Sequence, residues 1–424
     1  MIAAAALLAL LAPPAPPTIA IVHAKAYTVT APAPIDDATI VIAAGHIRSV
    51  MPHGAPPVGA QVIDAAGHVV TPGLINGATQ LGLTEVLEAS DTDDQTTASG
   101  PLGPAFDIED ALNANSTLIP VARADGLTRA MVFPGGAATV PFSGQGALIR
   151  LRPGADILER PHAAMFAAVG EPTLARAGGS RAAQWVLLRN ALAEARRFAA
   201  LASQGGPRDQ LLNRPDIVAL QPVIAGAMPL AIEADRESDI RAAIRLAADE
   251  HVRVVIVGGA EAWRAADALA SAHIPVVLDP EADMPQTFDA LGARLDNAAL
   301  LAKAGVAIGF FVSGNGIYLS YGAGIDLREG AGLAVANGLP YAEGLRAITA
   351  GVARIWGLGE NAGTLAPGAD ADLVIWDGDP LEPPSAPIAV FVGGRQASLI
   401  TRQTQLRNRY SPVHASDPLP AGYR

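Results

Sequence analysis

From Thr18 to Val70 the apolar residues come in short, interrupted runs. Ile19–Val22, Ala26–Val29, Thr39–Ile42, His46–Val50, Ala60–Asp64 and His68–Val70 each suit a short strand. Gly45 lies where a hairpin turn between two of them would fall. A sheet this small cannot cover both of its faces and needs a partner. From Pro72 to Gly357 the pattern changes. Short apolar runs at Gly73–Ile75, Arg129–Phe133, Met165–Val169, Pro229–Glu233, Val252–Val257, Pro275–Leu278 and Val306–Phe311 read as strands. Helical periodicity separates them over Arg181–Ala202, Asp239–Glu250 with Ser238 as its cap, Glu261–Ala270, Asn297–Ala304 and Tyr341–Trp356. Gly305 follows one of these as a C-cap would. Strand followed by helix, repeated, predicts parallel strands with right-handed crossovers, and at this length a closed (β/α)8 TIM-type barrel. The eighth strand is either Ala147–Leu151 or part of Asp216–Val223. Strand-like runs return at Leu373–Trp376 and Ala389–Val392, which could partner the N-terminal strands in a small composite β-sandwich.

The expected division is therefore residues 18–71 and 358–405 for the composite domain and 72–357 for the barrel. A lid-like insertion at about 88–120 follows the first barrel strand, and 406–424 form a tail. Residues 1–17 read as a cleaved signal peptide, because the apolar run Ile2–Ala12 precedes a proline cluster, although no basic residue precedes the run. That reading places the mature protein in the periplasm or outside the cell.

Composition narrows the chemistry. The chain of 424 residues carries a net charge of −12, which disfavours nucleic acid and anionic lipid as partners. It has no cysteine, so disulfides, thiol nucleophiles and thiolate-held zinc are excluded. The insertion has an Asp-x-Asp spacing at Asp91, Asp93 and Asp94, but no EF-hand loop around it; a solvated loop is the expectation.

Three stretches carry a resemblance. Val62–Ile75, Pro229–Ala260 and Ala362–Pro380 resemble the amidohydrolase superfamily, in the branch of imidazolonepropionase and related cyclic-amide and dipeptide hydrolases. The resemblance implies a metal-dependent hydrolase barrel acting on carbon–nitrogen bonds, flanked by a sheet from both chain ends. It also implies histidine ligands that this sequence does not have. Ala78 and Gln80 stand where the family places a His-x-His pair. Glu233 ends the fifth strand and Gly258–Gly259 the sixth, where histidines are expected; Phe310 and Phe311 stand where an aspartate is expected. Zinc in a hydrolase needs about three protein ligands, so no metal and no cofactor is expected at this position. The eight histidines elsewhere read as structural or solvent-facing; His162 precedes a predicted strand.

The polar residues expected at the barrel mouth are Glu233, Gln80 and Asp235 as catalytic candidates. Glu171, Glu85, Asn76, Glu261, Ser313 and Asn315 are also expected there. Glu233 could instead be neutralised by Arg236 or a backbone donor. Pro134–Gly136 and Gly258–Gly259 could present backbone N–H groups to an anion. Two functions follow: a C–N hydrolase with an altered centre, or a silent barrel that binds a small amide, a peptide or a protein.

Overall fold

A computed structural model describes residues 17–86, 92–97, 99–139, 141–154, 156–202, 211–312 and 318–411. The expected signal segment, Asp91, Ser313 and Asn315 lie outside the described residues. Two eight-stranded sheets organise the chain.

The first sheet joins the two chain ends. Its N-terminal strands are β1 (Ile19–Ala26), β2 (Ile35–Ala43), β3 (His46–Pro52), β4 (Gln61–Asp64) and β5 (Val69–Pro72). β1 pairs antiparallel with β2 and parallel with both β4 and β5. The β2–β3 hairpin turns on Ala44 and Gly45, both at positive φ, the geometry a two-residue hairpin turn needs. Ala26–Val29 is not a strand of its own: the chain leaves the sheet after Ala26, and Val29 takes φ 63°.

The second sheet is the barrel. Its strands are β6 (Leu74–Thr79), β7 (Leu127–Val132), β8 (Phe142–Arg150), β9 (Leu158–Ala168), β10 (Leu230–Ala234), β11 (Val254–Gly258), β12 (Val276–Leu278) and β13 (Ile308–Phe310). They are hydrogen-bonded in that order. The eighth strand is thus β8, and it runs antiparallel to both neighbours, so the barrel departs from a uniform strand–helix repeat. Asp216–Val223 is helical instead, over Arg214–Ala219 and Gln221–Ile224. Asn213 caps the first of these and Pro215 stands in its first turn, where a missing N–H costs nothing. The gap between β13 and β6 closes tightly. A β-carbon on Gly77 would lie 2.7 Å from the Phe310 carbonyl oxygen, so only glycine allows this approach.

The predicted helices form with three differences. Glu261–Ala270 becomes a 3-10 turn over Ala262–Ala265 followed by a short helix, Ala266–Ser271. Glu237–Glu250 starts one turn-edge early, with Arg236 at the cap position. Ser238 does not cap it, and Asp239 points inward to accept from Trp185 Nε1 at 3.2 Å. Tyr341–Trp356 divides into Tyr341–Ala347 and Ala350–Ile355, because the Thr349 backbone is not helical. No helix among the described residues is long and apolar enough to cross a membrane.

After the barrel the chain returns to the first sheet as β14 (Leu373–Trp376), β15 (Pro387–Val392) and β16 (Arg395–Gln396). β14 pairs antiparallel with β5, so both chain ends form one continuous sheet. That sheet folds back on itself: Ile47 N–H donates to Ala369 O and Ala371 N–H to Gly45 O. The enclosed core includes Ile21, Ile40, Ile47, Leu373, Ile375 and Phe391.

A charged network locks the two sheets together. Arg129 of β7 is 1% exposed. It donates to Glu159 of β9 at 2.8 and 3.0 Å, and also to Asp370 and Asp372 just before β14. Arg150 of β8 donates to Asp372 at 2.6 Å. Burial alone would weaken the hold of Arg129 on its proton; Asp372, Glu159 and Asp370 more than offset that and keep it charged. Removing one member leaves buried charge without compensation, which costs about 3–5 kcal/mol. Asp372→Ala is therefore expected to lower the unfolding free energy by about that amount, read from the urea midpoint. A loss within about 0.5 kcal/mol, the scale of a neutral surface change, would refute the role given to this network.

Candidate active site at the barrel mouth

Side chains alternate across a strand, so the inward set can be followed along each one. Ile75, Ala78, Met131, Phe166, Ala231, Val255, Val257, Val277 and Phe311 share one apolar cluster, which fills the barrel. Trp356 joins it. Its Nε1 donates to Gly77 O at 2.9 Å, and its ring lies 5.9 Å from that of Phe166. Ala231 points inward, so Glu233, two residues on, leaves the same face of β10 at the C-terminal mouth, and Asp235 follows just past the strand's end. Ala78 points inward as well, and Gln80 follows it two residues on at the end of β6.

Glu233 and Asp235 come together. Glu233 accepts no hydrogen bond through its carboxylate among the described residues and forms no ion pair with Arg236. Burial, with the neighbouring charge of Asp235, pushes its pKa up to about 7. Asp235 is also raised, chiefly by burial and despite its Oδ1 accepting from Ala260 N–H at 3.1 Å. Gln80 lies apart from both, with β7, β8 and β9 between their strands in sheet order. Gln80 is 3% exposed and its Oε1 has no hydrogen-bond partner.

The other mouth candidates are committed to structure. Glu261 accepts from Glu237 N–H at 3.0 Å and Gly292 N–H at 2.8 Å. Glu171 accepts from Phe288 N–H at 3.0 Å. Glu85 accepts from Asn113 Nδ2 at 3.0 Å and Thr117 N–H at 3.2 Å, which ties down the insertion. Asn76 bridges Ala323 O and Ala78 N–H. Asp93 accepts from Thr84 and Gln95 in a local turn. The glycines expected to hold an anion are also engaged: Gly135 N–H donates to Gln95 O and Gly259 N–H to Ala234 O.

Alanine, glycine and phenylalanine offer no lone pair to a cation, so Ala78, Gly258, Gly259 and Phe311 do not fit a zinc centre. Among the described residues, one group could converge on a metal ion: Asp107, Glu109 and His162. It lies away from the mouth, on the insertion and on β9. The strand begins earlier than expected, so His162 falls inside it, with Nδ1 2.8 Å from Asp107 Oδ2. Spacing could not reveal this group, because more than fifty residues separate its members.

Comparison with known proteins agrees with this architecture. Residues 226–397 match the model of the amidohydrolase family. An amidohydrolase of Hapsidospora irregularis is 27% identical over 389 residues, covering 82% of this chain and 38% of that protein. The chain thus spans well under half of that relative. An amidohydrolase from Thermotoga maritima superposes with TM-score 0.80 at 24% identity, over 90% of this chain and 99% of that one. N-isopropylammelide isopropylaminohydrolase from Burkholderia multivorans superposes with TM-score 0.52 at 17% identity, over 90% and 98%. The fold is shared with these amidohydrolase structures, and residues 226–397 carry the pattern of the amidohydrolase family.

Two measurements test the site. Purified protein is expected to hold well under one zinc per chain at the mouth. Chelator should leave its thermal midpoint unchanged, and a zinc retained in an Asp107→Ala, His162→Ala variant would overturn this. The second test concerns Glu233. Its folded pKa exceeds its ordinary value of 4.5. The folded chain therefore keeps a proton that the unfolded chain loses, and stability falls as pH rises from 4.5 towards 7. Glu233→Gln removes that penalty. Its stability relative to wild type should grow between pH 4 and pH 8 by about 1–3 kcal/mol, discounted for partial exposure. A pH-independent difference would rule out the raised pKa.

Proposed function

We propose that this chain hydrolyses C–N bonds of small amides or cyclic amides, with the Glu233–Asp235 pair replacing a zinc-activated water. The observation that carries this reading is Glu233 on β10 and Asp235 just past its end, with a proton held on Glu233 up to about pH 7. The reaction uses one ionised and one protonated carboxyl, and Glu233, with its pKa near 7, is available in either state near neutrality. The ionised carboxylate takes a proton from water as the oxygen attacks the carbonyl carbon. The protonated carboxyl gives its proton to the leaving nitrogen as the C–N bond breaks. The products are a carboxylic acid and an amine, and the pair has exchanged roles. Gln80, with its free acceptor, suits a substrate N–H. The match of residues 226–397 to the amidohydrolase family supports the bond type.

A second reading is supported by the apolar filling around Trp356, Phe166 and Phe311. The barrel then binds such an amide without turning it over. A panel of N-acyl amino acids, cyclic amides and dipeptides, followed by mass spectrometry, separates the two. Turnover that falls about 100-fold or more in Glu233→Gln and in Asp235→Asn, with the fold retained, is expected. Binding without turnover would select the silent barrel, and turnover indifferent to both substitutions would discard the carboxyl pair.

A further inference from the structure

A concavity of about 570 Å³ opens on the outer helical layer, away from the lumen. It is bounded by the helices Glu237–Glu250, Ala266–Ser271 and Asn297–Lys303. Arg241, Trp263, Arg264, Asp267, Leu300 and Lys303 line it, so three cations face one carboxylate in a chain whose net charge is −12. Arg241 is paired, with Nε 2.8 Å from Glu237 Oε1. Arg264 and Lys303 have no ion-pair partner among the described residues.

Arg264 is also held in place. Its guanidinium lies over the Trp263 ring, 4.9 Å from the centroid, and that of Arg294 lies 4.7 Å from the same centroid. The indole is fixed in turn, with Nε1 donating to Gly292 O at 2.8 Å. A β-carbon on Gly292 would fall 2.8 Å from both Arg264 Nη2 and Glu261 Oε1, so the guanidinium rests against bare backbone with that carboxylate near by, beyond ion-pair distance. The Arg264 carbonyl accepts from Arg241 at 3.0 Å, which links the two arginines. A stacked guanidinium with restricted freedom keeps its N–H fork available for phosphate or carboxylate oxygens. Lining area of this kind usually spends its cations on neighbouring carboxylates; here two of three remain unspent.

We propose that this groove is a binding site for a small polyanion, a molecule bearing adjacent phosphate groups. Its volume is that of a small-molecule site. The overall negative charge repels long polyanions such as nucleic acid, whereas a small one reaches the local positive field. Arg264 and Lys303 supply the charge, and Trp263 positions Arg264. The site is also connected to the mouth: the segment carrying Trp263 starts beside Asp235, whose Oδ1 accepts from Ala260 N–H.

Calorimetric titration of the full chain with inorganic pyrophosphate, at fixed ionic strength in potassium chloride, tests this. Saturable one-site binding is expected, weakened about tenfold or more in Arg264→Glu with Lys303→Glu, and unchanged in Arg407→Glu on the C-terminal helix Arg402–Tyr410, which does not line the groove. Arg264→Gln with Lys303→Gln provides the same test without charge reversal, with thermal midpoints confirming that both variants fold. Three results would overturn the proposal: no saturable binding, wild-type affinity in both double variants, or binding of a single-stranded oligonucleotide where pyrophosphate fails.

Discussion

The buried Arg129 guanidinium is the interaction on which the arrangement of this molecule depends. It sits on the second barrel strand and meets carboxylates from the strand β9 and from the segment that enters β14. Asp372 serves two arginines and also accepts from Gly393 N–H at 2.6 Å. A buried charge network is a poor source of net stability, because desolvation consumes most of its attraction. Its value is specificity of register: the C-terminal sheet can dock only where both arginines find their partners. The stretch Ala362–Pro380, which carries part of the family resemblance, thus supplies a docking plug rather than chemistry. Only once it is docked can β14 pair with β5 and close the sheet made from both chain ends.

The barrel side of the same junction explains why the mouth looks as it does. Trp356 follows the helix Ala350–Ile355 and rises into the lumen, where it bonds to Gly77 O. Phe166, Met131 and Phe311 complete the filling. With small or apolar side chains at Ala78 and Phe311, polar groups on the inward face are confined to the strand ends. Glu233 and Asp235 are left there partly buried and with few donors, and that burial raises both pKa values. A cation would have neutralised them, and so would Arg236, which points elsewhere. The unusual proton affinity and the apolar lumen are two consequences of one packing choice.

The insertion after β6 is held by buried apolar residues, Ile108 and Ile119 among them, and by close backbone contacts. Asp216 is buried and accepts from Gly103 N–H at 2.9 Å and Ala105 N–H at 2.8 Å. Gly144 takes φ 120°, and a β-carbon there would meet Phe106 O at 2.5 Å. The Ser143–Ala147 stretch therefore has a structural meaning: its glycines let the insertion lie directly on β8. Gln145 bridges to Asp107 in the same contact, which places Asp107 beside His162.

Local pattern determined much of this protein. The strand positions of the barrel, the helix Arg181–Ala202, the hairpin at Gly45 and the return of the chain to β structure were all legible, because each rests on periodicity or turn chemistry within a few residues. The absent ligands at Ala78, Gly258 and Phe311 were legible too, since residue type alone decides whether a side chain can bind a metal. The direction of β8 was not. An apolar run reads the same parallel or antiparallel, and only its neighbours β7 and β9 fix it. Glu233 and Asp235 could be named from the sequence, but their raised pKa values come from burial, which no local pattern carries. The Arg129 network, the His162 cluster and the stacked Arg264 each join residues remote in sequence or set by side-chain packing. Such groups exist only after the chain has folded, because electrostatic and stacking contacts depend on distance in space and not on separation along the chain.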